Sequence, residues 1–262
     1  MNLKPLGVQL YTVREAAEKD FAKTLERIAA MGYKTVQPSG FWNVRPKVLR
    51  QIVEDLGMKI NSAHSPAADR YTMGEAMDLA DNLGIKTLCV GYGPDAFQNM
   101  DKIKETADTT NCMIEIARKN GFTIFQHNHF WEFERLPDGR LKYQVYAEMC
   151  PELLFEIDAF WSTNLFQENE VEMMKLFADR TMLLHFKDGK PRENPANNNP
   201  FERCELCPLG KGRINIPAVL DAATDRVEEV LVELDTCNIE IFEALQQSYD
   251  YMTGNKLAAG RI

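Results

Sequence analysis

The chain has 262 residues, of which 45% are hydrophobic and 26% charged, and its formal net charge is −9. This acidic balance argues against nucleic acid as a partner, because nucleic-acid binding needs a basic face that neutralises phosphates. The sequence has no run of about 18 apolar residues, so no membrane-spanning helix is predicted. Residues 1–11 lack a long apolar stretch of the kind that precedes secretion, so a cytoplasmic protein is predicted.

A strand-like run at 7–11 opens the chain, and four segments then share one pattern, in which a helix ends, a glycine follows and a strand begins. The four glycines are Gly32, Gly57, Gly84 and Gly121. Each stands where a helix end often needs a positive φ angle, which glycine adopts without steric cost. The strands that follow them are predicted near 34–37, 58–63, 86–91 and 122–128. Amphipathic helix patterns precede these strands.

Three more strands are predicted in the second half of the chain, at 153–158, 182–186 and 229–235, and helices fill the intervals. The helix near 142–149 has the weakest pattern. Strands that alternate with helices predict a parallel sheet. Eight such units favour a closed (β/α)8 TIM barrel over an open sheet, and no GxGxxG motif follows the first strand. With no linker in the sequence, residues 1–262 are predicted to form a single α/β domain.

The segment 188–212 is rich in proline, asparagine and glycine, and it is predicted to be a long loop. It contains Cys204 and Cys207, two of six cysteines. Their spacing is that of half a zinc knuckle, but no second pair of ligands accompanies them, so we expect that they hold no zinc. The six cysteines do not resemble a disulfide framework, so a reduced protein is predicted.

Polar residues gather at the predicted strand ends, and the active sites of barrels form at the carboxyl ends of the strands. In chain order these residues are His64, His127, His129, Asp158, His185, Glu233 and Asp235. A lone histidine at such a position is more often structural than a ligand. However, His127, Asp158, His185 and Glu233 come from four consecutive strands. Together they form a nitrogen and oxygen ligand set suited to Mn²⁺, Co²⁺, Zn²⁺ or Mg²⁺.

Glu156 and Asp158 are expected to share the inward face of the sixth predicted strand. Two buried carboxylates are unfavourable unless a cationic group pairs with them. A divalent metal or a histidine would provide that charge.

Seven motifs span essentially the whole chain: GVQLYTVR, SAHSP, QHNHFWEF, FEIDAFW, HFKD, PLGKGRINIPAVL and VELDTCN. In these motifs the chain resembles the xylose isomerase-like barrels, the sugar phosphate isomerase/epimerase group that also contains the AP endonuclease family. The resemblance implies one divalent metal at the barrel mouth, bound through Glu, Asp, His and Glu on strands five to eight. Asp158, His185 and Glu233 match three of these positions.

Two positions depart from the family pattern. Many metal-dependent members have glutamate where this chain has His127, and relatives often have glutamate where it has Gln37. His127 can still bind a metal through a neutral ring nitrogen. The HNH triplet at 127–129 marks a subgroup. An epimerase mechanism with two glutamates on opposite faces of the substrate would keep only Glu233.

The resemblance implies a metal-dependent isomerase or epimerase of a sugar, sugar phosphate or polyol, acting through an enediolate with Glu233 and His127 as catalytic residues. A lyase or dehydratase acting on a keto-sugar or keto-inositol is the alternative, because a single carboxylate suits one-base chemistry. A sugar-binding barrel without catalysis is a third interpretation. An AP endonuclease is disfavoured, since it would need more histidines and a basic face.

The expected partner is a small carbohydrate, with neither nucleic acid nor membrane, and a homo-oligomer is compatible with the sequence. Six residues are expected to contact the substrate: His64, His129, Lys187, Trp161, Gln9 and Arg213. The basic side chains would meet an anionic group, and the tryptophan would stack on a sugar ring. Each could equally be an ordinary solvated or packed side chain.

Overall fold

A computed structural model describes residues 3–193 and 199–261. The strands in these residues are β1 (Leu6–Gln9), β2 (Thr35–Gln37), β3 (Thr87–Val90), β4 (Thr123–His127), β5 (Leu154–Asp158), β6 (Thr181–Phe186), β7 (Asp188–Pro191), β8 (Cys204–Cys207) and β9 (Glu229–Val232). Seven of them form a curled parallel sheet in the order β2-β1-β9-β6-β5-β4-β3. The predicted α/β class and TIM-barrel-like architecture are confirmed.

Helices cover the outside of the sheet. They are α1 (Arg14–Lys19), α2 (Phe21–Met31), α3 (Pro46–Asp55), α4 (Met73–Leu83), α5 (Met100–Lys119), α6 (Lys142–Met149), α7 (Glu170–Phe177), α8 (Ile216–Ala222) and α9 (Ile241–Gly254). The four predicted glycines follow α2, α3, α4 and α5 with φ angles between 73° and 102°. The helix–glycine–strand pattern is therefore confirmed. In the described part of the chain, no helix has both the length and the apolar character needed to cross a membrane.

Residues 58–63 do not form the predicted third strand. This segment pairs with β2 through a bridge between Thr35 and Lys59. On its other side, the Thr87 hydroxyl donates to the carbonyl of Asn61 at 3.5 Å, a side-chain contact in place of a ladder bond. Ile60 is the one β-branched residue in the segment, and lysine, asparagine and serine have low β-propensity. The place of the predicted third strand, between β2 and β3, is thus taken by an irregular segment.

The sequence predicted a long loop at 188–212, and this prediction is wrong in part. Strands β7 and β8 form an antiparallel pair within the segment. Residues 194–198 of this segment lie outside the described residues. Gly189 permits the pairing, since a Cβ atom there would lie 2.7 Å from the carbonyl oxygen of Glu205. Cys204 and Cys207 begin and end β8. The expectation that they hold no zinc stays a prediction.

Asp188 anchors the chain beyond the carboxyl end of β6. Its buried carboxylate accepts backbone N–H groups from Gly189, Gly210 and Gly212, each at 2.9 Å, and from Ile214 at 3.1 Å. At Gly212 a Cβ atom would lie 2.0 Å from Asp188 Oδ1, so only glycine fits. The PLGKGRI sequence therefore wraps around this carboxylate. These hydrogen bonds hold the sequence next to Asp188, which follows β6.

The barrel interior has an apolar layer beneath a polar one. Phe125, Leu183, Cys89 and Met182 form a buried cluster with Leu154 packed against it. Three of these lie two residues before polar residues of the same strands, namely His127, Glu156 and His185. Because alternate residues of a strand face the same side, the polar layer lies directly above the apolar layer, at the carboxyl ends of the strands.

Candidate active site

The register of the sheet brings side chains of neighbouring strands together inside the barrel. His127 of β4 pairs with Glu156 of β5, and Asp158 of β5 pairs with His185 of β6. Glu233 directly follows β9, and its backbone N–H donates to the carbonyl of Phe186 at 3.1 Å. Imidazoles and carboxylates from consecutive strands therefore converge at one end of the barrel.

Lys187 forms the central ion pairs of this cluster. Its side chain is 1% exposed, and its ammonium group donates to Asp158 Oδ2 and Glu233 Oε2, each at 2.5 Å. Burial alone would lower the pKa of Lys187, but the carboxylates of Asp158, Asp235 and Glu233 raise it above its usual range. Lys187 is thus a fixed positive charge beneath the surface, and its expected contact with substrate stays a prediction.

Glu156 is the carboxylate at the centre of three imidazoles. Its Oε1 accepts from Gln37 Nε2 at 2.6 Å and lies 3.0 Å from His185 Nε2. Its Oε2 contacts His64 Nε2 and lies 3.4 Å from His127 Nδ1. Burial alone would raise the pKa of Glu156, but the imidazoles of His185, His64 and His127 hold it well below its usual range. Glu156 is therefore ionised although it is fully buried.

His185 and His127 have opposite protonation preferences. His185 Nδ1 bonds Glu233 Oε2 at 2.7 Å, and its Nε2 lies 2.8 Å from Gln37 Oε1. Burial would lower the pKa of His185, but Glu156 and Glu233 raise it to about 10. Burial lowers the pKa of His127 well below its usual value, and its Nδ1 has no hydrogen-bond partner. His127 is therefore a neutral imidazole with an unused ring nitrogen.

The other residues of the HNH triplet hold this strand end in place. Asn128 Oδ1 accepts the backbone N–H of Asp158 at 2.9 Å, which ties β4 to β5. The ring of His129 stacks on Trp131 with centroids 4.2 Å apart. Its backbone N–H donates to the buried carboxylate of Glu132 at 2.9 Å. The triplet thus sends one imidazole to the polar layer and a second to the rim.

A cavity of about 290 Å³ opens above the polar layer. Its lining includes Tyr11, Ser39, His64, His127, His129, Phe201, Glu233 and Asp235. Four of the predicted site residues are therefore at this cavity: His64, His127, His129 and Glu233. This volume is near the lower end of the roughly 300–1,000 Å³ typical of small-molecule sites.

Several expected substrate-binding residues do not line this cavity. Gln9 is buried and donates to Gln37 Oε1 at 2.5 Å, below the polar layer's surface. Trp161 is 2% exposed, and its ring centroid lies 5.9 Å from the ammonium group of Lys187. Arg213 is exposed at the surface, with its guanidinium 5.7 Å from the ring centroid of Phe166. The structure therefore does not bring Gln9, Trp161 and Arg213 to the cavity wall.

Two groups of side chains have metal-ligand geometry among the described residues. The two-carboxylate group is the set predicted from the sequence: His127, Asp158, His185 and Glu233. The three-histidine group is His64, His127, Glu156 and His185. In each group the ligand atoms lie within 4.8 Å of one another. Both offer nitrogen and oxygen donors of the kind that bind Zn²⁺, Mn²⁺ or Co²⁺.

Sequence reasoning expected a metal or a histidine beside Glu156 but did not include it in the ligand set. It missed Lys187 as the partner of two carboxylates. A signal for Glu156 was present, since it precedes Asp158 by two residues and so faces the same side of the strand. No comparable signal existed for Lys187, because the sequence gives no reason to expect a fully buried lysine.

The model of one protein family, described as the xylose isomerase-like TIM barrel, matches residues 25–253. The chain belongs to this family. Its resemblance in sequence motifs is thereby confirmed. The family assignment agrees with the curled parallel sheet and with the position of the polar cluster at the carboxyl ends of the strands.

Solved structures of similar fold cover nearly the whole chain. A sugar phosphate isomerase/epimerase from Parabacteroides distasonis is 23% identical, with a TM-score of 0.79, over 99% of this chain and 96% of that chain. A probable 3-DHS dehydratase from Bacillus anthracis is 12% identical, with a TM-score of 0.71, over 95% of this chain and 98% of that chain. The IOLI protein with a bound zinc atom is 15% identical, with a TM-score of 0.68, over 97% of this chain and 98% of that chain.

These similarities show the fold. Because the sequence identities are low, the reaction of this chain has to be inferred from its own residues. No protein of curated function matches the sequence.

Proposed function

We propose that the protein is a metal-dependent isomerase or epimerase of a small sugar or sugar phosphate, acting through an enediolate. The observation that carries this proposal is the convergence of Glu233 and of imidazoles on one cavity, directly above buried carboxylates. Members of its family act on small sugar-like compounds, and a solved structure of the same fold holds zinc.

The charges of the polar layer support a divalent cation. Glu156, Asp158 and Glu233 contribute three negative charges, while Lys187 contributes one positive charge. In the metal-free protein the imidazolium of His185 balances part of this charge. A metal would replace that proton, because an imidazole ligand is neutral, and one divalent cation would then make the cluster electrically neutral. Unbalanced charge in a buried site is unfavourable by several kcal/mol, of the order expected for an unpaired buried ion.

His127 and His185 would hold the cation, because both belong to each candidate ligand group. A divalent metal held there would supply Lewis-acid stabilisation of the negative charge that develops on substrate oxygens when a neighbouring C–H proton is removed. The protein residues supply the binding of the sugar and the movement of that proton.

Glu233 is the proposed base. Its Oε2 is occupied by His185 and Lys187, whereas the side chain also lines the cavity. Burial would raise the pKa of Glu233, but Lys187 and His185 hold it well below its usual value. Glu233 is therefore ionised at neutral pH, the state that a base requires, and the same two contacts lower its proton affinity.

His129 is the proposed proton donor at the cavity, because His127 is a neutral imidazole that would hold the cation. His127 and His129 follow from β4, which is separated from β9 by β5 and β6 in the sheet. They therefore approach the cavity from a different side than Glu233. Return of the proton from this side would change the configuration of the substrate carbon, whereas return by Glu233 would retain it.

The test is hydrogen exchange in D₂O with the metal-loaded protein and a panel of ketoses, 3-keto-sugars and inosose. We expect one member to gain deuterium at the carbon next to its carbonyl, as detected by NMR. If a folded protein with stoichiometric metal exchanges no proton in any of these compounds, the proposed function is wrong.

A dehydratase is the second candidate, and Asp235 is the observation that favours it. Asp235 lines the same cavity as Glu233, and its Oδ2 is buried without a hydrogen-bond partner. Burial raises the pKa of Asp235, Lys187 at 3.7 Å from its Oδ2 lowers it, and the charges of Glu233 and Asp158 raise it further. Asp235 is thus a candidate acid beside the proposed base Glu233, and an acid and a base on one cavity would suit elimination of water. Loss of water from a panel compound, measured by mass spectrometry, distinguishes this reaction from isomerisation.

A further inference from the structure

We propose that the metal is bound by the three-histidine group, His64, His127, Glu156 and His185, and not by the two-carboxylate group predicted from the sequence. This inference rests on the proposed function, in which the protein uses a divalent metal. It differs from that function in naming the ligands, and it gives Asp158 and Glu233 other roles.

The spacing of the three imidazoles supports this assignment. The ring centroids of His64 and His127 are 5.0 Å apart, those of His64 and His185 5.4 Å, and those of His127 and His185 4.7 Å. An imidazole nitrogen about 2.1 Å from a metal places its ring centroid about 3.2 Å away, so tetrahedral ligands have centroids about 5 Å apart. The three rings therefore already have the separation of ligands around one ion.

The buried carboxylates have different partners: Lys187 pairs with two of them, and the proposed metal would pair with the third. Lys187 bonds Asp158 and Glu233, which satisfies the negative charges of these two side chains. Asp158 also accepts the backbone N–H groups of Phe160 at 2.9 Å and Trp161 at 2.8 Å, so it caps the segment after β5. Glu156 is 0% exposed, and among the described side chains it pairs with imidazoles, without a lysine or arginine. Of Glu156, Asp158 and Glu233, it is the carboxylate that no lysine pairs with, and a metal can replace the proton of the imidazole beside it.

Glu233 then has the position of an outer partner to a metal-binding histidine. It bonds His185 Nδ1 at 2.7 Å, which directs His185 Nε2 toward Glu156 at 3.0 Å. A carboxylate on the second ring nitrogen is the usual arrangement that orients a histidine ligand. His127 Nδ1, which has no hydrogen-bond partner, faces the same carboxylate at 3.4 Å. In this arrangement Glu233 remains uncoordinated and able to move a substrate proton.

The test measures binding of Co²⁺ to metal-depleted protein by calorimetry and by the visible absorption of the bound ion. We compare the Glu156→Gln, His64→Gln and Asp158→Asn variants with the unsubstituted protein. His129→Gln is the matched control, since its imidazole lies at the same cavity but in neither ligand group. Circular dichroism verifies the fold of each variant. His64 provides a second route should Glu156→Gln fail to fold, because its side chain is 19% exposed.

We expect Glu156→Gln and His64→Gln to weaken Co²⁺ binding more than the roughly 10- to 100-fold that follows loss of an outer-shell partner. Asp158→Asn and His129→Gln should change it by less than about tenfold, since in this arrangement neither side chain donates or accepts a hydrogen bond with a ligand. If Asp158→Asn abolishes binding while His64→Gln preserves it, the two-carboxylate group holds the metal and the proposal is wrong. It is also wrong if the unsubstituted protein binds no Co²⁺. Tight binding without any proton exchange would count against the proposed function alone.

Discussion

Glu233 has two neighbours that keep it ionised and one open side that faces the cavity. Glu233→Gln keeps the size of the side chain and removes its ability to accept a proton. We expect this variant to reduce turnover, or the rate of deuterium exchange, at least about a hundredfold, which is the lower end of general-base contributions. The measurement uses the substrate identified from the exchange panel, with metal content checked in each sample.

Glu229→Gln is the matched control for this experiment. Glu229 lies on the same strand, four residues earlier, and does not line the cavity. We expect its turnover to stay within about threefold of the unsubstituted protein, because Glu229 lies below the polar layer, away from the cavity and the reacting atoms. A Glu233→Gln variant that retains near-normal turnover would show that Glu233 is not the base. His127→Gln that is inactive with unchanged metal content would then identify His127 as the base.

Lys187 is the second residue whose role can be tested by itself. Its ammonium group separates the carboxylates of Asp158 and Glu233, and it is 1% exposed. Lys187→Met would leave two buried negative charges without their partner, so we expect a loss of about 3–5 kcal/mol in the free energy of unfolding. Urea denaturation of metal-free protein measures this loss.

The control is Lys190→Met, a change of the same chemistry at an exposed position on β7. It should alter the free energy of unfolding by no more than about 0.5 kcal/mol. Equal stability of Lys187→Met and Lys190→Met would show that the buried ion pairs contribute nothing.

Sequence reasoning found most of the residues in the polar layer but not their partners. His127, Asp158 and His185 end predicted parallel strands, and the carboxyl ends of such strands must meet. Which carboxylate pairs with which cation depends on differences of about an ångström in side-chain position. The boundaries of the strands alone do not determine such differences. Hence the sequence predicted a cationic partner for Glu156, but the three imidazoles around it and the role of Lys187 followed only from the contacts.

The segment around Asp188 shows how an element outside the sheet supports the site. Four backbone N–H groups converge on the Asp188 carboxylate, and Gly212 approaches it too closely for any side chain. Gly212→Ala should therefore displace the segment and lower the free energy of unfolding by about 1–3 kcal/mol, the usual effect of overpacking. Thermal and urea unfolding of the two proteins measure the change.

Gly91→Ala is the control for that substitution, because a Cβ at Gly91 would meet nothing within 4 Å. It should leave the free energy of unfolding within about 0.5 kcal/mol of its original value. If Gly212→Ala is equally harmless, the Asp188 carboxylate does not hold this segment.

The elements that the sequence predicted correctly are those whose signals are local. A glycine after an amphipathic helix specifies a positive φ angle at the helix end, and the next strand follows from its apolar run. Residues 58–63 and the β7–β8 pair depend on contacts with distant segments instead. The bridge from Lys59 to Thr35 and the close approach of Gly189 to Glu205 are such contacts, and no local pattern encodes them.

At the scale of the whole molecule, the barrel interior consists of two layers, and its ionised groups lie in the upper, polar layer. The apolar cluster around Phe125 and Leu183 closes the lower interior, and the polar layer above it is open to a cavity on one side. Glu229 is the exception, since it lies below this polar layer at the start of β9 and is 1% exposed. Neither of its carboxylate oxygens has a hydrogen-bond partner among the described residues.

Glu229 therefore makes the stability of the fold depend on pH. Burial raises its pKa from 4.5 to about 7. Since the folded protein holds the proton more tightly than the unfolded chain, the contribution of Glu229 is fully favourable below pH 4.5. It is lost as the pH rises to about 7, and the carboxylate then remains a destabilising charge. Glu229→Gln cannot ionise, so its stability relative to the unsubstituted protein should increase across this range.

We expect Glu229→Gln to unfold with a free energy about 3 kcal/mol higher than the unsubstituted protein at pH 8, given about 1.4 kcal/mol per pKa unit, and with nearly the same value at pH 4.5. Guanidinium denaturation at several pH values measures both. Glu228→Gln is the matched control, because the neighbouring Glu228 is exposed and should give a small difference that does not change in this way. A contradicting result would be a difference in free energy of unfolding between the two proteins that is absent at pH 8 or the same at every pH. Either result would mean that the pKa of Glu229 is not raised in the folded protein and that its ionised carboxylate is not destabilising.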